Sequence, residues 1–227
     1  MRLVVLAVII WGFSAAARAQ ESALDRHIRA DAKGAAVVWL PDGISDGMFA
    51  WRVAETAAVP LIFEALPLEY RDPATILERV DLDGLTVQAA LDILVAHDAR
   101  YRWEERNGVI LIRPGTLTND PEDRLNQRVA GVQRNRLGLQ DVLAGVTGAA
   151  ASGGLSATLP PGIDSRQFAM DVTSGTVLDI LVAAARAHGR VMWSVPDSVR
   201  GADSGRFSLG YRTFADDSGR TPTGAVR

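Results

Sequence analysis

Residues 80–114 read VDLDGLTVQAALDILVAHDARYRWEERNGVILIRP, and this stretch decides the fold. Val80 and Leu82 alternate with Asp81 and Asp83, the period-two pattern of a half-buried strand. From residue 86 the period changes. Val87, Ala90, Leu91, Leu94 and Val95 stand at i, i+3, i+4, i+7 and i+8, one apolar stripe along a helix over 86–97. Tyr101 and Trp103 then alternate with Arg102 and Glu104, and Asn107-Gly108 separates them from the apolar run 109–112. An Asn-Gly pair between two strand-like runs predicts a type I′ hairpin, because both turn positions need positive φ. Strand, helix and hairpin together predict a helix lying on one face of a small sheet.

The same rhythm returns 90 residues later. Asp81 matches Asp171, Leu82 Val172, Thr86 Thr176, Val87 Val177, Leu91 Leu181 and Trp103 Trp193. Helix 176–187 carries Val177, Ile180, Leu181, Ala184 and Ala185 at the spacing of the first helix. Val191, Trp193 and Val195 alternate, as do Phe207, Leu209 and Tyr211 beyond a long loop. Before each copy stand a strand-like segment (35–40 and 125–133) and an amphipathic helix. The first helix has Phe49, Ala50, Val53, Ala54 and Ala57 on one face, and the second has Leu139, Val142, Leu143 and Val146. Residues 59–63 read as a further strand in the first half, whereas 147–166 are a Gly/Ala/Pro-rich loop in the second. The fold class predicted is α+β: two tandem small modules, each a short mixed sheet covered by helices in a strand-helix-strand-strand repeat. The modules span 35–115 and 120–214.

What lies outside them is read from composition. Residues 1–19 have Arg2, an apolar run over 3–13 and Ala17-Arg18-Ala19, the layout of a cleaved secretory signal peptide. Residues 20–34 read as a flexible leader, and 215–227 as a disordered tail without apolar content. The chain of 227 residues has 24 basic and 27 acidic side chains. Losing Arg2 and Arg18 with the signal moves the net charge from −3 to −5. That balance argues against nucleic acid, which demands a concentrated basic footprint. No later stretch reaches the roughly 20 apolar residues of a membrane-spanning helix, so an integral membrane protein is not expected. With no cysteine there is neither a disulfide framework nor a thiolate metal site. The signal-like start predicts an exported chain.

Residues 45–114 resemble the STN module, the short N-terminal domain of secretins and of some TonB-dependent receptors. The likeness rests on AWRVAETAAVPLIFEAL, on VDLDGLTVQAALDILVAHDARYRW and on the closing NGVILIRP; the run FAMDVTSGTVLDILVAAARAHGRVMWSV in 120–214 looks like a diverged relative. The resemblance implies a non-enzymatic protein-binding role, as an adaptor or scaffold of the bacterial envelope, with a secretin, a TonB-dependent receptor or a transducer as partner. It implies no cofactor, and it implies the periplasm of a two-membrane bacterium as the compartment, with secretion from the cell as the alternative.

Candidate residues follow from that role. The strand 109–113, which ends the first module, is the edge expected to take a partner strand by β-augmentation, with Val109, Leu111 and Arg113 in contact. Trp39 and Trp51 flank the first helix outside the repeat and are the aromatic candidates for an interface. Trp103 and Trp193 are repeat-equivalent and read as core packing. Gly43-Ile44-Ser45-Asp46-Gly47 matches G-x-S-x-G, the turn that exposes a hydrolase serine, so a small serine hydrolase using Ser45 is one alternative. Helix capping by Ser45 or Asp46 explains the same residues. His97 and His188 read as helix C-terminal caps, not ligands, because neither has a partner at metal spacing. Asp81 and Asp83 share one strand face and read as a solvated surface, not an acid–base pair. A carrier of a small apolar ligand is the other alternative, and it requires an apolar pocket between the modules.

Overall fold

The computed structural model describes residues 22–30, 37–40, 44–66, 78–149, 156–157, 166–195 and 208–214. Among these the chain runs through β1 (Val37–Leu40), α1 (Ile44–Ala57), β2 (Leu61–Glu64), β3 (Glu78–Asp81), α2 (Val87–His97), β4 (Tyr101–Arg106) and β5 (Val109–Pro114). It then repeats that order as β6 (Arg128–Leu137), α3 (Leu139–Ala149), β7 (Ser156–Ala157), β8 (Phe168–Thr176), α4 (Val177–His188), β9 (Val191–Val195) and β10 (Ser208–Thr213). The fold is α+β, as the periodicity predicts. The expected signal peptide and the tail 215–227 lie outside the described residues.

Pairing repeats as faithfully as element order. β1 lies antiparallel to β3, and β6 to β8. β5 is antiparallel to β4 and parallel to β2; β10 is antiparallel to β9 and parallel to β7. Helix starts match as well, because Thr86 Oγ1 accepts from the Ala89 N–H and Thr176 Oγ1 from the Asp179 N–H, both at 3.2 Å. In the second copy Asp179 returns a bond to the Thr176 N–H, completing a capping box. Asn107 and Gly108 have φ of 55° and 78°, and the strands they join pair in register, so the type I′ expectation holds.

Three expectations are corrected. First, residues 22–30 are not a loose leader. They make a 3-10 turn at Ala23–Asp25, bury Ala23 and Ile28, and bond to the loop before α2 through Ile28 N–H to Leu85 O and Gly84 N–H to Ile28 O. The same turn recurs at Arg124–Asn126, and the bonds Val87 N–H to Arg26 O and Val177 N–H to Gln127 O are equivalent. Each repeat unit therefore begins with this turn. Second, the stretch 147–166 is not loop throughout, since it contains α3's last turn and β7. Third, the two units do not keep separate sheets. β2 and β9 pair in parallel, Leu61 with Met192 through Glu64 with Val195, giving one six-stranded sheet of order β4-β5-β2-β9-β10-β7.

That junction turns the second unit over. β9 runs antiparallel to its counterpart β4, so each unit's helices cover a different face of the common sheet. Alternation then feeds two cores. Leu61, Phe63, Ile110 and Ile112 join Phe49, Val53, Leu91 and Leu94 on one face. Ile62, Val109 and Leu111 point to the other, among Val142, Ile180, Leu181, Trp193 and Tyr211 of the second unit. Met192 and Phe214 cross in the opposite sense and pack in the first core. No helix among the described residues is long and apolar enough to cross a membrane.

Since each unit completes the other's core, the chain is expected to unfold in one calorimetric transition, with matching van't Hoff and calorimetric enthalpies. Ile62→Ala is expected to cost about 2–5 kcal/mol of the whole transition. Two separable transitions, with only the first shifted by Ile62→Ala, would contradict a shared sheet.

Candidate protein-binding surface

The position of β2 decides which strand is an edge. The strand expected to be open, 109–113, is an inner one: β5 has β4 on one flank and β2 on the other. Val109 and Leu111 are buried in the second unit's core, and Arg113 is 5% exposed. A strand apolar at every position of VILI is one covered on both faces. The described sheet ends instead at β4 and at β7.

β4 carries the signs of a managed edge, with Arg102, Glu104, Glu105 and Arg106 along six residues. Its hairpin closes on the pair Arg106–Val109, so the amides and carbonyls of Arg106, Glu104 and Arg102 face β5. Those of Trp103 and Glu105 face outward. Trp103 is half-buried beneath α2 and donates from Nε1 to Asp92 Oδ1 at 3.1 Å. The Glu105 carboxylate accepts from the Ser22 hydroxyl at 2.7 Å, and Arg106 pairs with Glu104 on the opposite face at 2.6 Å. The alternating charge of YRWEER beside the uncharged VILI is the signal in the sequence that marks this edge.

Neither tryptophan outside the repeat is shown as a free anchor. Trp39 stands in β1 opposite Arg79 of β3, and its side chain lies outside the described residues. Trp51 is half-buried: its ring meets Phe214 edge-on at 6.3 Å, and the Arg212 guanidinium lies 5.4 Å from its centroid. It is a contact between the two units.

A buried ionic cluster sits where the units join. Arg113 donates from Nε to Glu64 Oε2 at 2.7 Å, from Nη2 to Asp123 Oδ2, and from Nη1 to Asn126 Oδ1 at 3.3 Å. Glu64 ends β2 and is fully buried, while Asp123 caps the 3-10 turn that opens the second unit. Among the described residues a single guanidinium serves both buried carboxylates, so its one charge balances only one of them. Burial accordingly pushes the Glu64 carboxyl from 4.5 up to about 7; Arg113 pulls it down and Asp123 pushes it up further. Burial also raises Asp123, against the pull of Arg113.

The remaining candidates fall into ordinary roles. Ser45 is the second residue of α1, within its first turn, whereas a hydrolase elbow sets its serine between strand and helix. His97 and His188 are the last residues of α2 and α4, whose C-caps are Asp98 and Gly189, and His188 is buried against Phe168 with its Nδ1 accepting from the Arg190 N–H at 3.3 Å. Asp81 and Asp83 are exposed; Asp81 accepts from the Asp83 N–H at 3.0 Å and Asp83 from the Ala30 N–H at 2.8 Å, fixing a turn and the N-terminal segment. A cleft of about 490 Å³ separates the first hairpin's tip from β8 and α4. Met170, Val172 and Val182 line it together with the charged Arg106, Asp171, Asp179 and Arg186, and Arg106 stands 3.6 Å from Asp179, so residues of both units meet there in a mixed apolar and charged lining.

No family model matches the chain, and neither a curated protein nor a solved structure matches it significantly.

The Glu64 shift has a definite sign. The folded state holds a proton that the unfolded carboxyl releases near 4.5, so this group makes folding less favourable as pH rises from about 4.5 to 7 and adds no further change above that. Thermal melts are expected to show a higher Tm at the acidic end of that window than at its alkaline end. In Glu64→Gln that difference shrinks; an unchanged slope in this variant would assign the pH dependence elsewhere.

Proposed function

We propose that this chain is an exported, non-enzymatic protein-binding protein of the bacterial envelope, an adaptor that engages a partner by strand addition at the open edge of β4. The observation that carries this reading is the β2–β9 junction. There the chain joins two folded units by backbone pairing between edge strands, and the strand used, β9, is the repeat counterpart of β4. An open strand with outward amides and carbonyls at Trp103 and Glu105 offers another chain the same chemistry. Charges along it admit a complementary strand and discourage an apolar one. The resemblance of 45–114 to the STN module and the signal-like residues 1–19 support an envelope partner: a secretin, a TonB-dependent receptor or an inner-membrane transducer.

The test is cross-linked capture from cell envelopes with tagged residues 20–227, beside a Glu105→Pro variant. The Glu105 amide faces away from β5, so proline removes an outward donor while the hairpin ladder stays whole. An envelope protein of one of those three kinds is expected with the native sequence, and at least tenfold less of it with the variant, whose circular dichroism remains native. Equal recovery with both proteins, or no such protein with either, overturns the reading.

A further inference from the structure

We infer that the groove between β8 and α4 binds an extended peptide by strand addition to β8, and that the peptide carries a basic residue between two apolar ones. The site is separate from β4, because β8 belongs to the two-stranded sheet β6-β8 and not to the six-stranded one.

The backbone makes the first half of the case. β8 has β6 on one flank and, among the described residues, no strand on the other. Residues 169–172 of β8 line the cleft of about 490 Å³, with α4 as its floor and the hairpin tip at Arg106 and Asn107 as its far wall. No residue of β6 lines it, so the cleft lies on the unpaired flank of β8. An open strand beside a helix-floored cleft is how a sheet takes up an extended segment, with main-chain bonds along one side and side-chain contacts beneath.

Side chains supply the sequence of the guest. Successive positions of a strand point to opposite faces. Met170 and Val172 turn inward and pack in the second core, whereas Asp171 is exposed on the other face. A strand laid beside them alternates in the same way. Its residues beside Met170 and Val172 come down on Val182, Ala183 and Ala187 of α4, an uncharged floor that selects apolar side chains. The residue between them sits beside Asp171. That carboxylate has no hydrogen bond or ion pair among the described residues, and its neighbours on the same face, Ala169, Thr173 and Gln133, are uncharged. An unpaired carboxylate beside a strand position selects lysine or arginine there.

The other charges of the cleft agree with this choice. Arg106 pairs with Glu104 at 2.6 Å and stands 3.6 Å from Asp179, whose carboxylate also accepts from the Thr176 N–H. Arg186 has no such partner among the described residues, but it stands on α4, where it repels a basic side chain on the floor side. The guest's cation is thereby confined to the Asp171 side.

Fluorescence anisotropy of labelled, end-capped peptides on purified residues 20–227 tests this. Thr-Val-Arg-Val-Thr is expected to bind saturably with a Kd below about 1 mM. Thr-Ser-Arg-Ser-Thr, which lacks the apolar pair, and Thr-Val-Glu-Val-Thr, which reverses the charge, are each expected to bind about fivefold more weakly. Asp171→Lys, a change at an exposed position, is expected to invert the choice and prefer the glutamate peptide, with native circular dichroism. No saturable binding of the arginine peptide, equal binding of all the peptides, or an Asp171→Lys protein that still prefers arginine overturns the inference. Binding that Glu105→Pro abolishes and Asp171→Lys spares would place the peptide on β4 and overturn it as well.

Discussion

Everything distinctive in this fold depends on the parallel pairing of β2 with β9. A three-stranded sheet with helices on one face leaves the other face bare, and a small unit has little surface to bury. Joining two such sheets edge to edge, with the second turned over, solves both problems together. Ile62, Val109 and Leu111 are the bare face of the first unit, and the second unit's α4 and its strands cover them. Met192 and Phe214 return the favour in the first core.

Equivalent residues take different work on the two sides of this joint. Arg113 and Arg212 hold the same register in β5 and β10, facing Arg102 and Met192 respectively. Each reaches across to the other unit. Arg113 is buried with Asp123, the cap of the second unit's opening turn, while Arg212 lies over Trp51 of α1. Trp103 and Trp193 diverge in the same way. On the outer strand Trp103 stays half-buried with its Nε1 satisfied by Asp92, whereas Trp193 on the inner strand is fully buried and its Nε1 has no partner among the described residues. An unpaired indole donor is a real cost, accepted where a large ring fills the centre of the second core beside Tyr211.

Much of this was legible in the amino-acid order, for local reasons. The α2 and α4 stripes, both threonine caps and the Asn-Gly hairpin are set by neighbours within a few residues, and they appear where periodicity puts them. The opening turns at 23–25 and 124–126 carry no such period; their hold comes from backbone bonds to segments about 50–60 residues away, and the polar, alanine-rich stretch around the first reads as a leader when taken alone. The edge was misassigned for the same reason. Whether β5 ends a sheet depends on where β2 inserts, and LIFE in β2 says only that it is buried, not beside which strand. The contrast between charged YRWEER and apolar VILI was present all along, and it ranks the two strands correctly once a hairpin is accepted.

The reach of the joint also bears on how the chain is made. β2 is complete at Glu64, yet its partner β9 begins at Val191, 77 residues after the first unit closes at Pro114. Until β9 arrives, the first half has no partner for β2 and no cover for Ile62, Val109 and Leu111, so the second half of the chain acts as a chaperone for the first.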